Sequence, residues 1–379
     1  MKSATQAGQK ILVRGVNWLG DAVMSMAAVQ RLHEALPQDS ITLLTDEKLS
    51  ELWSAQPAVS QVMGFRKGEG VLSVARRLRA ERFDVALIFP NSFRSALEVF
   101  LAGIPVRVGY EGNMRGLLLT KAVRRRSGSV KMHKRSDAEI QALIGRGKAE
   151  PLTVLSEGHH IFDYQHLAKE LGASTKPLSP RIDIPESEIE AFAKKLGLET
   201  DHRSPVVGLN PGAEYGPAKR WPTDHFVRAG REIIRQTGAI VLIFGGAADQ
   251  EITVAIAQGI SSGMDKSAGA RVIDLAGRTS LRELCAGMAL CRVVLTNDTG
   301  PMHLAAAVGA SVVVVFGSTS PELTAPGSPG DSRHLVLRAD VPCAPCFRRE
   351  CPIDLRCLTN IRPEDAVGAV VGRLRELSI

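Results

Sequence analysis

The chain has 379 residues, of which 44% are hydrophobic and 23% are charged. Lys and Arg outnumber Asp and Glu by 47 to 40, and seven of the basic residues lie between Lys121 and Arg135, where the chain has no acid. The rest of the chain is therefore balanced, which excludes a protein that is basic throughout, and the apolar content excludes a disordered chain. Two domains of ordinary size are expected, because one hydrophobic core rarely extends over so many residues.

The sequence lacks the features of secreted, membrane-spanning or nucleic-acid-binding proteins. The first ten residues are polar and contain no hydrophobic signal region, and the longest apolar runs, such as Val312–Phe316, have the length of strands. Aromatic residues make up 4% of the chain, too few for a surface that stacks single-stranded nucleic acid. We therefore expect a cytoplasmic protein that has no nucleic-acid partner and can touch a membrane surface.

Short apolar strands alternate with amphipathic helices along the chain. In the first half we predict a strand, a helix and two further strands, at Ile11–Val16, about Asp21 to Leu36, Ile41–Thr45 and Val85–Phe89. In the second half we predict five strands and a closing helix, at Val206–Asn210, Ile240–Phe244, Val272–Leu275, Val293–Thr296, Val312–Phe316 and Pro363–Leu377. Such alternation predicts βαβ units and parallel sheets covered by helices on both faces, an α/β fold.

Two such domains are expected, an N-terminal domain over residues 1–185 and a C-terminal domain over 200–362, followed by the closing helix over 363–379. The boundary is placed at Ser174–Pro185, a stretch with three prolines and little periodicity. Ligands of doubly wound sheets bind outside the carboxyl ends of the strands, so we expect the site in the cleft between the domains.

The first loop that can carry chemistry joins the first strand to the first helix and ends in Gly20 and Asp21. It has no GxGxxG fingerprint, which disfavours a dinucleotide cofactor. Gly20 permits a tight turn and close approach of a ligand. Asp21 is either the N-cap of the helix or a general base that points into the cleft.

The second loop follows the strand at Val206–Asn210, is rich in Gly and Pro, and ends in Lys219 and Arg220 before Trp221. A flexible backbone with two cations suits a ligand that carries phosphate. The alternative is an ordinary exposed loop with solvated charges, which the length and position of this loop disfavour.

The third loop, 297–303, reads Asn-Asp-Thr-Gly-Pro-Met-His and leads from a buried strand into a helix that should begin near Pro301. The free amides around Thr299 and Gly300 then form an anion site at the positive end of the helix, where a diphosphate can bind. Asp298 and His303 flank that site, although a lone His at this position can equally be a packing residue.

Together these segments resemble glycosyltransferase family 9. The matching pieces lie in the order of the family over nearly the whole chain: Asn-Trp-Leu-Gly-Asp at 17–21, Pro-Gly-Ala-Glu-Tyr-Gly-Pro-Ala-Lys-Arg-Trp-Pro at 211–222, the third loop at 297–303 and a Cys-rich tail at 343–357. The Asp-Thr-Gly-x-x-His piece is typical of the whole family. The long piece is more specific and resembles the members that add the second heptose to the lipopolysaccharide core.

The resemblance implies a GT-B fold, with two Rossmann-like doubly wound domains facing each other across a cleft. The N-terminal domain would receive the acceptor and the C-terminal domain would bind ADP-heptose. It implies an inverting transfer of L-glycero-D-manno-heptose to the first heptose of the inner core on Kdo-lipid A, with no metal and no cofactor beyond the donor substrate.

The resemblance also assigns residues to roles. Asp21 resembles the general base that takes the proton of the acceptor hydroxyl, and Lys219 resembles the cation that stabilises the leaving diphosphate. Asn17 and Trp18 fall in the acceptor-binding loop. The donor-binding positions are Gly212, Glu251, Thr279, Asp298, Thr299, Gly300 and His303.

Two alternatives remain open. A related enzyme of the same family adds the preceding heptose directly to Kdo-lipid A, and supplying each acceptor separately would discriminate the two. A nucleotide-binding module without chemistry would bind ADP with no turnover, and the expected pairing of Asp21 with Lys219 across the cleft disfavours it.

Four cysteines, Cys343, Cys346, Cys351 and Cys357, cluster near the C-terminus. Their spacing would let four thiolates meet one zinc ion, but it matches no recognised zinc ribbon or finger, and three arginines crowd it. Reduced, packed cysteines are the favoured interpretation, because the chain has no secretion signal.

The basic segment Lys121–Arg135 has three possible roles. It is a solvated loop, it binds nucleic acid, or it contacts an anionic acceptor and the inner membrane that holds it. No nucleic-acid motif accompanies it. We favour the third interpretation, in which Arg124, Arg125 and Arg126 bind the phosphates and carboxylates of the Kdo-lipid A acceptor at the inner face of the membrane.

Overall fold

A computed structural model describes residues 8–147, 156–198, 204–265, 269 and 271–377. Its strands are β1 (Lys10–Arg14), β2 (Ser40–Asp46), β3 (Gln61–Phe65), β4 (Val85–Ile88), β5 (Val106–Tyr110), β6 (Lys121–Val123), β7 (Val206–Asn210), β8 (Ile240–Ile243), β9 (Val272–Asp274), β10 (Val293–Asn297), β11 (Ser311–Phe316) and β12 (Leu335–Arg338). Its α-helices are α1 (Leu19–Ala35), α2 (Ser50–Trp53), α3 (Val71–Glu81), α4 (Phe93–Leu101), α5 (Asp137–Arg146), α6 (Ile161–Lys169), α7 (Glu186–Lys195), α8 (Thr223–Thr237), α9 (Gln250–Ser262), α10 (Leu281–Leu290), α11 (Gly300–Ala307), α12 (Pro321–Thr324), α13 (Arg356–Thr359) and α14 (Pro363–Glu376). In the part of the chain described, no helix has both the length and the apolar character required to cross a bilayer.

The chain divides into two compact units. The first consists of Met1–Ser129 with Glu157–Asp183, and the second consists of Val130–Ser156 with Ile184–Ile379. Each unit is built on a parallel six-stranded sheet. The strand order is β3-β2-β1-β4-β5-β6 in the first and β12-β11-β10-β7-β8-β9 in the second.

The central strands are continuous apolar runs because helices cover both faces of each sheet. In β1 only Lys10 is exposed, and the six residues of β11, Ser311–Phe316, are all buried. In the second unit, the amphipathic helices α8 and α14 pack against each other over the Val and Ile side chains of this sheet. The predicted parallel α/β sheets are thus confirmed.

Both sheets reverse their strand order next to their first strand. In the first unit β1 lies between β2 and β4, and in the second unit β7 lies between β8 and β10. At such a switch point the loops that follow the two adjacent strands lead to opposite faces of the sheet and leave a crevice at its carboxyl edge. The loops that follow β1 and β7 are the ones that contain Asp21 and Lys219.

The segment that contains α5 packs with the second unit. The Arg135 amide donates to the Cys346 carbonyl oxygen at 3.0 Å, and the Arg348 guanidinium lies 2.7 Å from the Asp137 carboxylate. The domain boundaries at residues 185, 200 and 362 stay predictions. They assume that each domain is one continuous stretch of chain, whereas each compact unit consists of two stretches.

The predicted strands are present with ends that differ by one or two residues, as expected where terminal residues bend out of the sheet. Four strands were not predicted: β3, β5, β6 and β12. They are short or partly exposed, and none is buried along its whole length; the burial of β12, for example, alternates along Leu335–Arg338 although residues 335–337 are all apolar.

One buried histidine makes the stability of the second unit depend on pH. His334 precedes β12, its Nδ1 accepts from the Val312 amide at 3.3 Å, and its Nε2 lies 3.6 Å from the Asp331 carboxylate. Burial lowers the pKa of His334 from 6.5 to about 4, although the Asp331 charge opposes the shift. The unfolded chain therefore takes up this proton at a higher pH than the folded chain.

Consequently the contribution of His334 is complete above its ordinary pKa of 6.5 and is lost as the pH falls toward about 4. We expect a loss of up to about 3 kcal/mol in the free energy of unfolding across that window. Urea unfolding at a series of pH values would measure it, with His334→Asn as the control that keeps an acceptor for the Val312 amide. The same pH dependence in the variant and in the wild type would contradict this assignment.

Candidate active site

The loop after β1 brings the first group of predicted residues to the carboxyl edge of the first sheet. The Gly15 amide still donates to the Leu44 carbonyl oxygen of β2 at 2.9 Å, and the chain then leaves the sheet. Asn17 and Trp18 are exposed, the Trp18 side chain to 49%. Helix α1 begins at Leu19 with Trp18 as its N-cap.

Asp21 therefore lies in the first turn of α1, and the N-cap interpretation is wrong. The helix begins two residues earlier than predicted because the Trp18 carbonyl oxygen already accepts from the Ala22 amide at 2.8 Å. The Asp21 carboxylate instead accepts a hydrogen bond from the Tyr164 hydroxyl of α6 at 2.8 Å. Burial and the Asp21 charge raise the pKa of Tyr164 well above its ordinary value, so this phenol stays protonated and donates.

A buried ion-pair network fixes the position of the loop that follows β1. Glu98 of α4 is fully buried and accepts from Arg14 Nε at 3.0 Å and from Arg94 Nε at 2.9 Å. Arg14 Nη1 also donates to the Gly15 carbonyl oxygen at 2.6 Å and to Asn17 Oδ1 at 3.4 Å. A buried guanidinium with a carboxylate and a carbonyl partner has little freedom, so the network fixes where the loop leaves the sheet.

The three predicted acceptor-binding arginines have different surroundings. Arg126 Nε lies 2.9 Å from the Asp163 carboxylate, and its Nη1 donates to the Glu157 carbonyl oxygen at 2.8 Å. Arg124 and Arg125 are exposed and form no hydrogen bond or ion pair with another described residue. Arg126 is thus engaged by the first unit itself, and two cations of this group point to solvent.

In the second unit, three adjacent strand ends meet around Asp298. Lys219 Nζ, from the loop after β7, lies 2.6 Å from the Asp298 carboxylate that follows β10. The hydroxyl of Thr319, in the loop after β11, donates to the same carboxylate. The Lys219 and Asp298 side chains are 12% and 4% exposed, so this ion pair is largely shielded from water.

The loops that carry this pair are locked to each other. Asn297 accepts from the Trp221 amide at 3.0 Å and donates to the Pro211 carbonyl oxygen at 2.7 Å. The Trp221 indole donates to the Ile361 carbonyl oxygen at 3.0 Å. A hydrogen-bonded frame therefore positions both ends of the loop at 211–222 and with it Lys219.

Two glycines of this loop lie close to neighbouring groups, one to a side chain that can move and one to backbone. A Cβ at Gly212 would lie 2.5 Å from the Asp249 carboxylate. Gly216 has a φ of +148°, and a Cβ there would lie 2.5 Å from the Arg349 carbonyl oxygen. The Ala218 amide donates to that same oxygen at 3.0 Å, so any larger residue at 216 would displace the turn that presents Lys219.

The predicted anion site lies at the N-terminus of α11. The helix starts at Gly300 with Thr299 as its N-cap, one residue before the predicted start at Pro301. No side chain caps it, which leaves first-turn amides available to a ligand. His303 is buried and interacts with another group of the chain, and its role in donor binding stays a prediction.

The two remaining donor-binding residues lie at the same edge of the second sheet, farther from Lys219. Glu251 is exposed in the first turn of α9, after β8, and Thr279 is half-buried in the loop after β9. Glu251 follows β8, the direct neighbour of β7, whereas Thr279 follows β9, one strand farther from the Lys219 loop. Among the described residues no hydrogen bond or ion pair joins either side chain to the Lys219–Asp298 pair, so their roles stay predictions.

The comparison with known families decides the classification of this site. A family model described as glycosyltransferase family 9 (heptosyltransferase) matches residues 71–356, well over half of the chain. The chain belongs to glycosyltransferase family 9. The resemblance predicted from the motifs is confirmed, and so are glycosyltransferase activity and the GT-B fold.

Individual family 9 proteins are similar over most of their length. Lipopolysaccharide heptosyltransferase 2 of Escherichia coli (strain K12) is 33% identical over 323 residues, 84% of this chain and 85% of that protein. The solved structure of E. coli ADP-heptose LPS heptosyltransferase II is 29% identical, with a TM-score of 0.74 and coverage of 98% of this chain and 100% of that one. Lipopolysaccharide heptosyltransferase 1 of Pseudomonas aeruginosa (strain PAO1) is 23% identical over 356 residues, 90% of this chain and 87% of that protein.

The cysteine segment of this family 9 chain packs against the loop that contains Lys219. The Cys346 and Phe347 amides donate to the Ser318 carbonyl oxygen at 3.1 and 2.7 Å, and the Tyr215 hydroxyl donates to the Phe347 carbonyl oxygen at 2.8 Å. Within the described residues no group of three His, Cys, Asp or Glu is arranged to hold a metal ion. Burial and the neighbouring thiols raise the pKa of Cys357 to about 12, which favours packed, protonated cysteines.

Several residues of the family 9 site were missed from the sequence. Tyr164 lies far along the chain from Asp21, and Glu98 lies far from Arg14, so no local pattern marks these two contacts. Thr319 follows a strand that was predicted, and its polar position after a buried run was the available signal. Arg14 was also detectable, because a charged residue ends the buried strand β1.

Proposed function

We propose that this protein acts as lipopolysaccharide heptosyltransferase 2, transferring L-glycero-D-manno-heptose from ADP-heptose to the first heptose of the inner core on Kdo-lipid A. The observation that carries the proposal is the placement of Asp21 and of the Lys219–Asp298 pair at the switch points of their sheets. The names of the family 9 relatives support ADP-heptose as the donor and lipopolysaccharide as the product, and the finer identity of the sugar and the acceptor follows from the motif resemblance.

In the proposed reaction Asp21 is the general base. It takes the proton of the acceptor hydroxyl as that oxygen forms a bond to the anomeric carbon of the heptose. The Tyr164 hydroxyl holds the Asp21 carboxylate in one orientation, so the group need not be ordered as the reaction proceeds. Attack on the face opposite the departing ADP inverts the anomeric configuration.

Lys219 is proposed to stabilise the departing diphosphate. The bond between the anomeric carbon and the phosphate oxygen breaks with its electron pair on ADP, and a fixed cation compensates the developing charge. The first-turn amides of α11 at Thr299 and Gly300 add donors for the same phosphates. In this scheme these protein groups do the work for which other transferases use a divalent metal ion.

The proposed function is tested with purified protein, ADP-heptose and monoheptosylated Kdo-lipid A. Mass spectrometry should detect one added heptose. Kdo-lipid A without heptose, supplied in parallel, should stay unmodified, and its modification instead would indicate heptosyltransferase 1 activity. ADP binding without any product would indicate a nucleotide-binding module and contradict the proposal.

We also propose that the enzyme works peripherally at the cytoplasmic face of the inner membrane, where its exposed arginines meet the anionic acceptor. Arg124→Glu with Arg125→Glu should raise the KM for the lipid-linked acceptor about tenfold or more, since each cation near an anionic surface contributes about 1 kcal/mol. ADP-heptose binding should not change, because both arginines belong to the first unit.

The matched control reverses Arg76 and Arg82, two exposed arginines of the same unit in α3 and at its C-cap. It changes the net charge equally and should leave acceptor kinetics unchanged. Arg126→Glu is not equivalent, because it would break the ion pair with Asp163 and destabilise the unit. An unaltered KM in the Arg124 and Arg125 variant would exclude these residues from acceptor binding.

A further inference from the structure

The connection between β5 and β6, residues 111–120, exposes two large apolar side chains. Met114 is 89% exposed and Leu117 is 94% exposed, more than any other large hydrophobic residue described in the chain. We call this connection the Met114 loop. Side chains of this kind at such exposure lose favourable burial unless something apolar covers them.

The exposure does not come from a loosely held loop. Arg115, between the two apolar residues, is fully buried and donates from Nε to the Tyr110 carbonyl oxygen at 2.7 Å and from Nη1 to the Pro90 carbonyl oxygen. Asn113 Nδ2 donates to the Asn91 carbonyl oxygen at 2.7 Å. The buried guanidinium therefore anchors the loop to the end of β4, and Met114 and Leu117 stand out on either side of the anchor.

The backbone of the loop is also held in an unfavourable conformation. Asn113 and Met114 have φ values of +50° and +59°, in the left-handed region that side chains other than glycine rarely adopt. At Met114 that conformation coincides with an apolar side chain that is 89% exposed. Conformations of this kind persist where surrounding contacts fix them, and they cluster at functional sites.

Positive charge lies beside the apolar pair. The Tyr110 position in β5 is paired with Val123 in β6, and the Glu111 amide donates to the Val123 carbonyl oxygen at 2.8 Å, so Arg124 and Arg125 emerge next to the Met114 loop. Burial lowers the pKa of Arg115 to about 10, and the charge of the neighbouring Arg125 adds to this shift. Glu111 is the only acid of the segment 111–126.

The loop lies on the same sheet edge as Asp21. The strands of the first sheet are parallel, so the connections that follow β1, β4, β5 and β6 all leave from the carboxyl edge. Trp18, half-exposed in the loop after β1, adds a side chain suited to the boundary between lipid and water.

From this geometry we propose that the Met114 loop docks the first unit on an anionic phospholipid surface, with Met114 and Leu117 inserted among the acyl chains and Arg124 and Arg125 on the headgroup phosphates. The docked surface is that of the phospholipid bilayer in which the acceptor is embedded, so the two arginines that meet the acceptor also face the headgroups around it. The proposal rests on the proposed function in one respect, since a glycolipid acceptor requires the enzyme to reach the bilayer, and docking at this edge brings Asp21 to the acceptor headgroup.

The test uses the full chain and vesicles of phosphatidylethanolamine with phosphatidylglycerol, without acceptor or donor. The wild type should sediment with these vesicles and bind phosphatidylcholine vesicles much more weakly. Met114→Gln with Leu117→Gln should bind the anionic vesicles about tenfold or more weakly, because two apolar side chains no longer leave water. Val106→Gln, a change to the same polar residue at the amino end of β5, is the control and should bind as the wild type does.

Insertion itself is read from Leu117→Trp, whose emission should shift to the blue when anionic vesicles are added, whereas Val106→Trp should show no shift. Failure of the wild type to sediment, unchanged binding of the Met114 and Leu117 variant, or an unshifted Leu117→Trp spectrum would each overturn the proposal. Transfer to a deacylated, water-soluble acceptor separates the two hypotheses. It should be normal in the Met114 and Leu117 variant, and its absence in the wild type would contradict the proposed function and leave the vesicle result intact.

Discussion

Replacing Asp21 by Asn should lower kcat for heptose transfer by about 10²- to 10⁴-fold, the range that a positioned general base contributes. The amide has nearly the same shape and can still accept the hydrogen bond from the Tyr164 hydroxyl, so the fold and ADP-heptose binding should be unchanged. The measurement is the rate of heptose addition under saturating donor, together with ADP-heptose affinity by calorimetry.

Tyr164→Phe is the control that separates the base from its support. It removes the hydrogen bond to Asp21 and leaves the carboxylate, so the expected loss in kcat is about tenfold to a hundredfold, the range of one hydrogen bond to a charged group. Full activity in Asp21→Asn would show that another group takes the acceptor proton. A Tyr164→Phe defect as large as that of Asp21→Asn would mean that orientation, more than proton transfer, limits the reaction.

The second large effect is expected at Lys219. Lys219→Met should lower kcat by about 10²- to 10³-fold, as expected when a fixed donor to a developing charge is removed. It should also lower the free energy of unfolding by about 3–5 kcal/mol, since the Asp298 carboxylate would be buried without its cation. Enzyme kinetics and denaturant unfolding measure the two losses separately.

A double variant distinguishes the two roles of this lysine. Lys219→Met with Asp298→Asn removes both charges and should recover most of the stability, because a neutral amide can still accept from the Thr319 hydroxyl. Activity should stay low, since no cation would face the diphosphate. If activity returned along with stability, Lys219 would be a structural residue and its assignment to the leaving group would be wrong.

The sequence predicts the strands that are buried on both faces, because they are continuous apolar runs between helices. The strands β6 (Lys121–Val123) and β12 lack that pattern, because β6 has only three residues and begins with a lysine, and the burial of β12 alternates along the strand. The position of α1 was missed by two residues because its N-cap is Trp18, a residue with no capping side chain and therefore no capping signal.

For the site, local motifs identify the loops but not their partners. Lys219 and Asp298 each lie in a recognisable motif, whereas their ion pair depends on β7 and β10 being neighbours in the sheet. The same is true of Asp21 and Tyr164, which meet through the packing of α1 on α6. Contacts between residues of different strands or helices depend on the topology of the fold, and the spacing of motifs along the sequence does not encode that topology.

The hydrogen bonds that hold the Lys219 loop determine when the donor site can form during biosynthesis. The loop is held by the carbonyl oxygens of Phe347, Arg349 and Ile361, which the ribosome adds more than a hundred residues after Lys219 itself. The strands of the second sheet can pair earlier, but the donor loop cannot reach its final position until these late residues have emerged. A nascent or truncated chain that ends before Phe347 would therefore carry every motif of the donor site in sequence and still lack its arrangement.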